Sequence, residues 1–116
     1  MSLHYADKPW TKSYDKGVPE SIDVPAHPVQ YFLEEAARRV PTNTALVFQG
    51  KELTYDELNK ASDAIAAGLA ANGFKKGDRA VIYMPNLPQF AIIYYGILKA
   101  GGIVIATNPL YTEREL

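Results

Sequence analysis

The sequence predicts an α/β fold built around a βαβαβ unit with a parallel sheet. Three observations carry this. RAVIYM (residues 79–84) and IVIAT (103–107) are short unbroken apolar runs, as strands covered on both faces are. A helical pattern with its own start and stop signals precedes each run. Gly, Pro and Asn punctuate the joints between them. Ahead of the unit come an irregular arm, a helix and a β-hairpin.

The arm is residues 1–26. Pro9, Pro19 and Pro25 stand among charged residues and the aromatics Tyr5, Trp10 and Tyr14, and no period of 2 or 3.6 survives. HPVQYFLEEAARRV (27–40) then reads as a helix, with Pro28 suited to its first position. Val29, Phe32, Leu33, Ala36 and Val40 share one face. Glu34 with Arg38, and Glu35 with Arg39, are opposite charges four apart, each pair contributing about 0.3 kcal/mol. Pro41 ends the helix.

TALVFQGKELTY (44–55) predicts a hairpin turning at Gly50, where a positive φ is needed. Thr54 and Glu57 form a capping box that starts the next helix. Leu58, Ala61, Ile65 and Leu69 make its buried stripe. Gly73 suits the left-handed C′ position, and Phe74 can then touch Leu69. KKGD leads into the strand 79–84, which Pro85 ends. Asn86, with Gln89 three residues on, is expected to cap the helix LPQFAIIYYGILKA (87–100). That helix is apolar nearly all round and so expects partners on both sides. Gly101-Gly102 stop it, and Asn108-Pro109 turn out of the strand 103–107. Thr112 and Glu115 repeat the capping pattern, so the chain is expected to be the front part of something longer.

The 116 residues allow one domain at most. Lys plus Arg total 12 against 13 Asp plus Glu, and a net charge of −1 gives no broad attraction for nucleic acid. Cysteine is absent, which removes disulfides, thiolate nucleophiles and zinc-thiolate sites and fits a reducing cytoplasm. MSLHYADKPW has no apolar core of a signal peptide. Lys99 and Gly101-Gly102 divide FAIIYYGILKAGGIVIAT into pieces too short for a membrane span.

Chemistry is sparse. Gly68 and Gly73 have the spacing of a phosphate loop, but Phe74 separates Gly73 from Lys75, and Gly68 falls inside a helix. No G-x-G-x-x-G occurs. His4 and His27 lack ligand-spaced companions. Asp56 and Glu57 sit in a first helical turn, where the dipole favours acids. Arg38-Arg39 reads as a solvated face. Tyr83, Tyr94, Tyr95 and Tyr111 read as packing residues. No catalytic, cofactor-binding or metal residue is assigned.

LTYDEL (53–58) and LKAGGIVIATNP (98–109) resemble the first two core motifs of the adenylate-forming enzymes, with GDRAVIYMPNLPQF (77–90) between them. That superfamily holds acyl-CoA synthetases, luciferases and peptide-synthetase adenylation domains. PWTKSYDKGVP (9–19) and NPLYTEREL (108–116) are most similar to the fatty-acyl-CoA synthetase branch. The resemblance implies fatty-acid activation in two steps: AMP transfer from ATP with Mg²⁺, then attack by the coenzyme A thiol. Fatty acid and coenzyme A would be substrates of the whole enzyme. It also implies that the Ser/Thr/Gly-rich phosphate loop and the catalytic lysine lie further along such chains.

The expectation is therefore an arm (1–26) and a partial N-terminal α/β domain (27–116) that stops before the phosphate loop. Such a segment should be inert alone and bind no cofactor itself. A cytoplasmic setting, or a peripheral one at the membrane, fits, and the apolar faces allow a homo-oligomer. Two alternatives stay open: a self-standing α/β binding module or subunit, and another adenylate-forming branch, such as an aryl-CoA ligase or a peptide-synthetase adenylation domain.

Overall fold

The computed structural model describes residues 7–115; His4, Tyr5 and Leu116 lie outside them. Within the arm, Pro9–Ser13 form one 3₁₀ turn, and residues 14–28 are neither helix nor strand. The first helix, α1, is Val29–Arg39, with Pro28 just outside it as the N-cap. Its expected apolar stripe is only partly used. Leu33 is buried, whereas Val29 and Phe32 are about half exposed. α1 touches both later helices, more of the second helix than of the third, and leaves Val29, Phe32 and Val40 partly open to solvent.

β1 (Thr44–Phe48) and β2 (Lys51–Thr54) form the expected antiparallel hairpin. Gln49 and Gly50 make the two-residue loop, both with positive φ (49° and 77°). That geometry matches the strand twist of a type I′ turn. α2 (Tyr55–Ala71) has the two ends that the sequence predicts. Thr54 Oγ1 accepts from the Glu57 amide, and the Glu57 carboxylate accepts from the Thr54 amide at 2.8 Å. At the other end Gly73 takes φ 87°, its amide bonds Ala70 O, and the Phe74 amide bonds Leu69 O. This is a Schellman ending.

β3 (Arg79–Tyr83) and β4 (Ile103–Thr107) pair in parallel, with α3 (Pro88–Lys99) between them. The α/β class and the parallel pairing therefore stand. The extent of the sheet differs from the expected βαβαβ unit. β1–β2 and β3–β4 are two separate two-stranded sheets among the described residues. The ladder bonds of β2 go to β1 across the tight turn, a local closure that a distant strand cannot match in loop entropy. The cap of α3 differs as well. Leu87, not Asn86, is the N-cap, without a side-chain bond. Pro88 disfavours helical backbone in the residue before it, and Leu87 is extended at φ −126°, ψ 159°.

The core lies where α2, α3 and the β3–β4 sheet meet. Leu33, Leu58, Ile82 and Ile97 are its buried apolar side chains, with Ser62 buried among them and its hydroxyl donating to Asn59 O. Two glycines permit the close approach. A Cβ on Gly96 would collide with Ile65 of α2, and one on Gly102 would stand 2.5 Å from the Phe74 ring. Hence GG at 101–102 is a seat for Phe74 as well as a helix stop.

Alternation along the strands gives the sheet two faces. Ala80 and Ile82 point to α3, while Val81 and Tyr83 point away and are 61% and 46% exposed. On β4, Ile103 and Ile105 lie on the same open face as their partners Arg79 and Val81. The total accessible surface is 9084 Å². A compact protein of this mass has roughly 6,300 Å². The radius of gyration, 18.8 Å, likewise exceeds the roughly 13 Å of a compact chain. The exposed, irregular arm contributes to this excess, and so do the exposed apolar side chains of α1 and of the open sheet face.

Candidate functional site

Ligands of parallel α/β sheets bind where the carboxyl ends of the strands open. Here that place is an open cleft of about 500 Å³ beyond the ends of β3 and β4. Met84, Pro85 and Asn86, which follow β3, line it together with Thr107, Asn108 and Pro109 at the end of β4 and Phe90 from the first turn of α3. Pro85 ends β3 and Pro109 follows β4, so two chain exits splay apart and leave the cleft between them.

The lining after β4 is braced. The Tyr83 hydroxyl donates toward the carbonyls of Pro109 (3.0 Å) and Tyr111 (3.1 Å), and Asn108 Oδ1 accepts from the Leu110 amide. The cleft can pack an apolar or planar group. Its lining residues present no carboxylate, imidazole or ammonium, so none of these general acids or bases stands in the cleft. Among the described residues, no group of three His, Cys, Asp or Glu could hold a metal ion.

The residues singled out from the sequence do not converge. Gly68 lies within α2, Gly73 ends it, and the Lys75 amide donates to Asp78 Oδ2 in the following turn, so that trio is a helix ending. His27 stacks on Tyr31 with ring centroids 4.0 Å apart. Asp56 pairs with Lys60, and Glu57 belongs to the capping box, whose Thr54 amide holds its carboxyl below the ordinary value of 4.5. Arg38 makes a bidentate pair with Glu35, not with Glu34 as the four-residue spacing suggests. The fork reaches back one turn to the half-buried partner.

Of the four tyrosines, Tyr94 and Tyr95 pack edge-to-face, and burial pushes the Tyr95 phenol up. Tyr83 and Tyr111, expected as packing residues, are nearly half exposed. Sequence reasoning also missed Lys99. Its side chain is 6% exposed, and its ammonium bonds Asn59 O, Asn59 Oδ1 and Asp63 Oδ1. The signal was available: it is the sole charge on a helix that is apolar nearly all round.

No helix among the described residues is long and apolar enough to cross a membrane. Residues 33–116 match the family described as AMP-binding enzyme. The long-chain-fatty-acid–CoA ligase of Bacillus subtilis (strain 168) is 45% identical over 111 residues, 96% of this chain and 20% of that protein. The long-chain-fatty-acid–CoA ligase of Yersinia pestis is 42% identical over 113 residues, covering 95% and 20%. Among solved structures, the N-terminal subdomain of Klebsiella oxytoca NpsA in complex with 3-hydroxyanthranilyl-AMSN superposes with a TM-score of 0.72 at 31% identity. That match covers 75% of this chain and 22% of the other. The chain spans about one fifth of the length of the curated relatives it matches.

Proposed function

The chain belongs to the AMP-binding enzyme family, and from that premise we propose that it is the N-terminal part of a long-chain-fatty-acid–CoA ligase. The whole enzyme would join fatty acid and ATP to an acyl-adenylate, releasing pyrophosphate. The coenzyme A thiol then attacks the acyl carbon, and AMP leaves. The observation that carries this reading is the 45% identity to a fatty-acid–CoA ligase along 96% of the chain.

In this reading residues 1–26 are an arm and 27–116 are part of the α/β domain. α1 starting at Val29 and the family match starting at 33 support that division. We assign the chain no catalytic residue. Among its described residues no three His, Cys, Asp or Glu come together as metal ligands, and we assign it no Mg²⁺ ligand. What the segment supplies is scaffold: the capped α2, the α2–α3 pair and the cleft at the strand ends. The setting we infer is the cytoplasm, with fatty acid reaching the enzyme from water or from a membrane surface.

The test is fatty-acid-dependent ATP–pyrophosphate exchange, with acyl-CoA formation followed by mass spectrometry. The full reading frame should be active across medium and long chains, and the 116-residue chain should be inert. Failure across the whole panel of chain lengths would overturn the ligase reading. Exchange by the 116-residue chain alone would overturn its role as scaffold.

A further inference from the structure

We propose that a groove on α1 takes a long-chain fatty acid, its carboxylate on Arg39 and its chain over Ala36 toward Leu46 and Tyr95. The choice of acid rests on the ligase reading; the groove itself does not. Two depressions meet on this helix. One, of about 380 Å³, is lined by Phe32, Glu35, Ala36 and Arg39. The other, of about 430 Å³, lies between α1, β1, α2 and α3. Phe32 and Ala36 line both, so the two abut across the small side chain of Ala36. Each falls in the usual range of small-molecule sites, roughly 300–1,000 Å³. Neither shares a lining residue with the cleft beyond β3 and β4.

The two depressions differ in chemistry. The larger is apolar except for the phenols of Tyr55 and Tyr95. Neither hydroxyl has a hydrogen-bond partner among the described residues, and both are reached by water. Burial pushes the Tyr95 phenol up, so it stays protonated and can donate. The Tyr55 amide bonds Asn43 O and the Asp56 amide bonds Pro41 O, which brings Tyr55 to the end of α1 that carries Arg39. At the smaller depression a cation is left over. Glu35 faces it too, but Arg38 takes both of its carboxylate oxygens. Arg39 then has no ion pair or hydrogen bond of its own among the described residues. A guanidinium presents a fork of donors that matches the two oxygens of a carboxylate. The carbonyl end of α1 opposes an anion here, but that field is weak beside a bidentate charge-assisted pair. A free cation at one end of an apolar groove therefore selects an amphiphile with an anionic head.

Photolabelling of the full-length protein tests this, with hexadecanoic acid carrying a diazirine in its chain as the probe. Mass spectrometry should find saturable label within residues 32–46 or 91–95. Dodecanoate should displace that label about tenfold better than dodecanol or dodecyltrimethylammonium, the gain expected of one charge-assisted pair. Arg39→Gln should weaken labelling there by a similar factor of about ten, and Arg39→Lys, which keeps the charge but not the fork, by less. Ala36→Phe, which fills the junction of the two depressions, should abolish it. Where that variant does not fold, Arg39→Gln, at an exposed position, decides the matter. Label confined to other residues, equal displacement by dodecanol, or undiminished labelling of Arg39→Gln would each overturn the site. An active ligase without this label would keep the ligase reading and lose the site. Arg39-dependent label in a protein without pyrophosphate exchange would keep the site and sink only the ligase reading.

Discussion

The Lys99 ammonium, in the last turn of α3, lies 2.6 Å from the Asp63 carboxylate on α2. It also donates to the side-chain and backbone oxygens of Asn59, so one cation joins two helices at three acceptors. The lysine is nearly buried, while the aspartate side chain is 58% exposed. Removing the two partners should therefore have unequal effects. Lys99→Ala strands Asn59 oxygens in a part-buried place and should cost about 1.5–3 kcal/mol. Asp63→Ala removes only a solvated partner and should cost about 0.2–1 kcal/mol. Urea midpoints measure both, and equal losses would refute this account of the clamp.

Gly96 and Gly68 make a second contrast. Both are helical glycines, but only Gly96 faces a neighbour, with Ile65 Cβ 2.6 Å from where its own Cβ would be. Gly96→Ala should drive α2 and α3 apart and lose about 1–3 kcal/mol. Gly68 has nothing within 4 Å. Gly68→Ala should gain about 0.5–1 kcal/mol from helix propensity alone. Thermal melts of the two variants should shift in opposite directions.

The cap of α2 gives a pH dependence. Thr54→Ala should cost about 1 kcal/mol, the usual loss for such a cap. The Glu57 carboxyl is held below 4.5, first by the Thr54 amide and then by its hydroxyl. A depressed folded value means that the unfolded chain takes up the proton first. The stabilisation is thus complete above 4.5 and is lost as pH falls through the lowered folded value. Glu57→Gln should remove that part of the acid sensitivity, seen as a smaller loss of stability between neutral pH and pH 3. An unchanged acid profile would count against the box.

What was legible in the sequence tracks how local each cause is. Both ends of α2 follow from Thr54, Glu57 and Gly73, which act on backbone groups within a few residues. The parallel β3–β4 pair follows from two uninterrupted apolar runs. The separation of the hairpin from that pair was not legible, because pairing between distant strands is decided by tertiary competition that no periodicity records. Asn86 was the better cap by side chain, yet Pro88 fixed the helix start at Leu87 through backbone sterics. At the cleft, Pro85 and Pro109 were readable as strand exits. The Tyr83 brace was not, because it spans 26 residues to Pro109.

The open sheet face leads to the last prediction. Val81, Tyr83, Ile103 and Ile105 form one contiguous exposed patch on paired strands. Val29 and Phe32 leave a second one on α1. Monomers rarely leave patches beyond a few hundred Å² open to water, because removing such area is favourable by about 25 cal/mol per Å². The 116-residue chain prepared alone should therefore self-associate, with a scattering mass that rises with concentration and a broad thermal transition. Ile105→Lys should lower that mass. Val47→Lys, at a hairpin position that is already 67% exposed and off this face, should leave it nearly unchanged. A longer protein that covers this face should scatter as one species over the same range. A 116-residue chain that stays monomeric at every concentration and melts in one sharp step would show that these faces need no partner, and the scaffold reading would lose its physical basis.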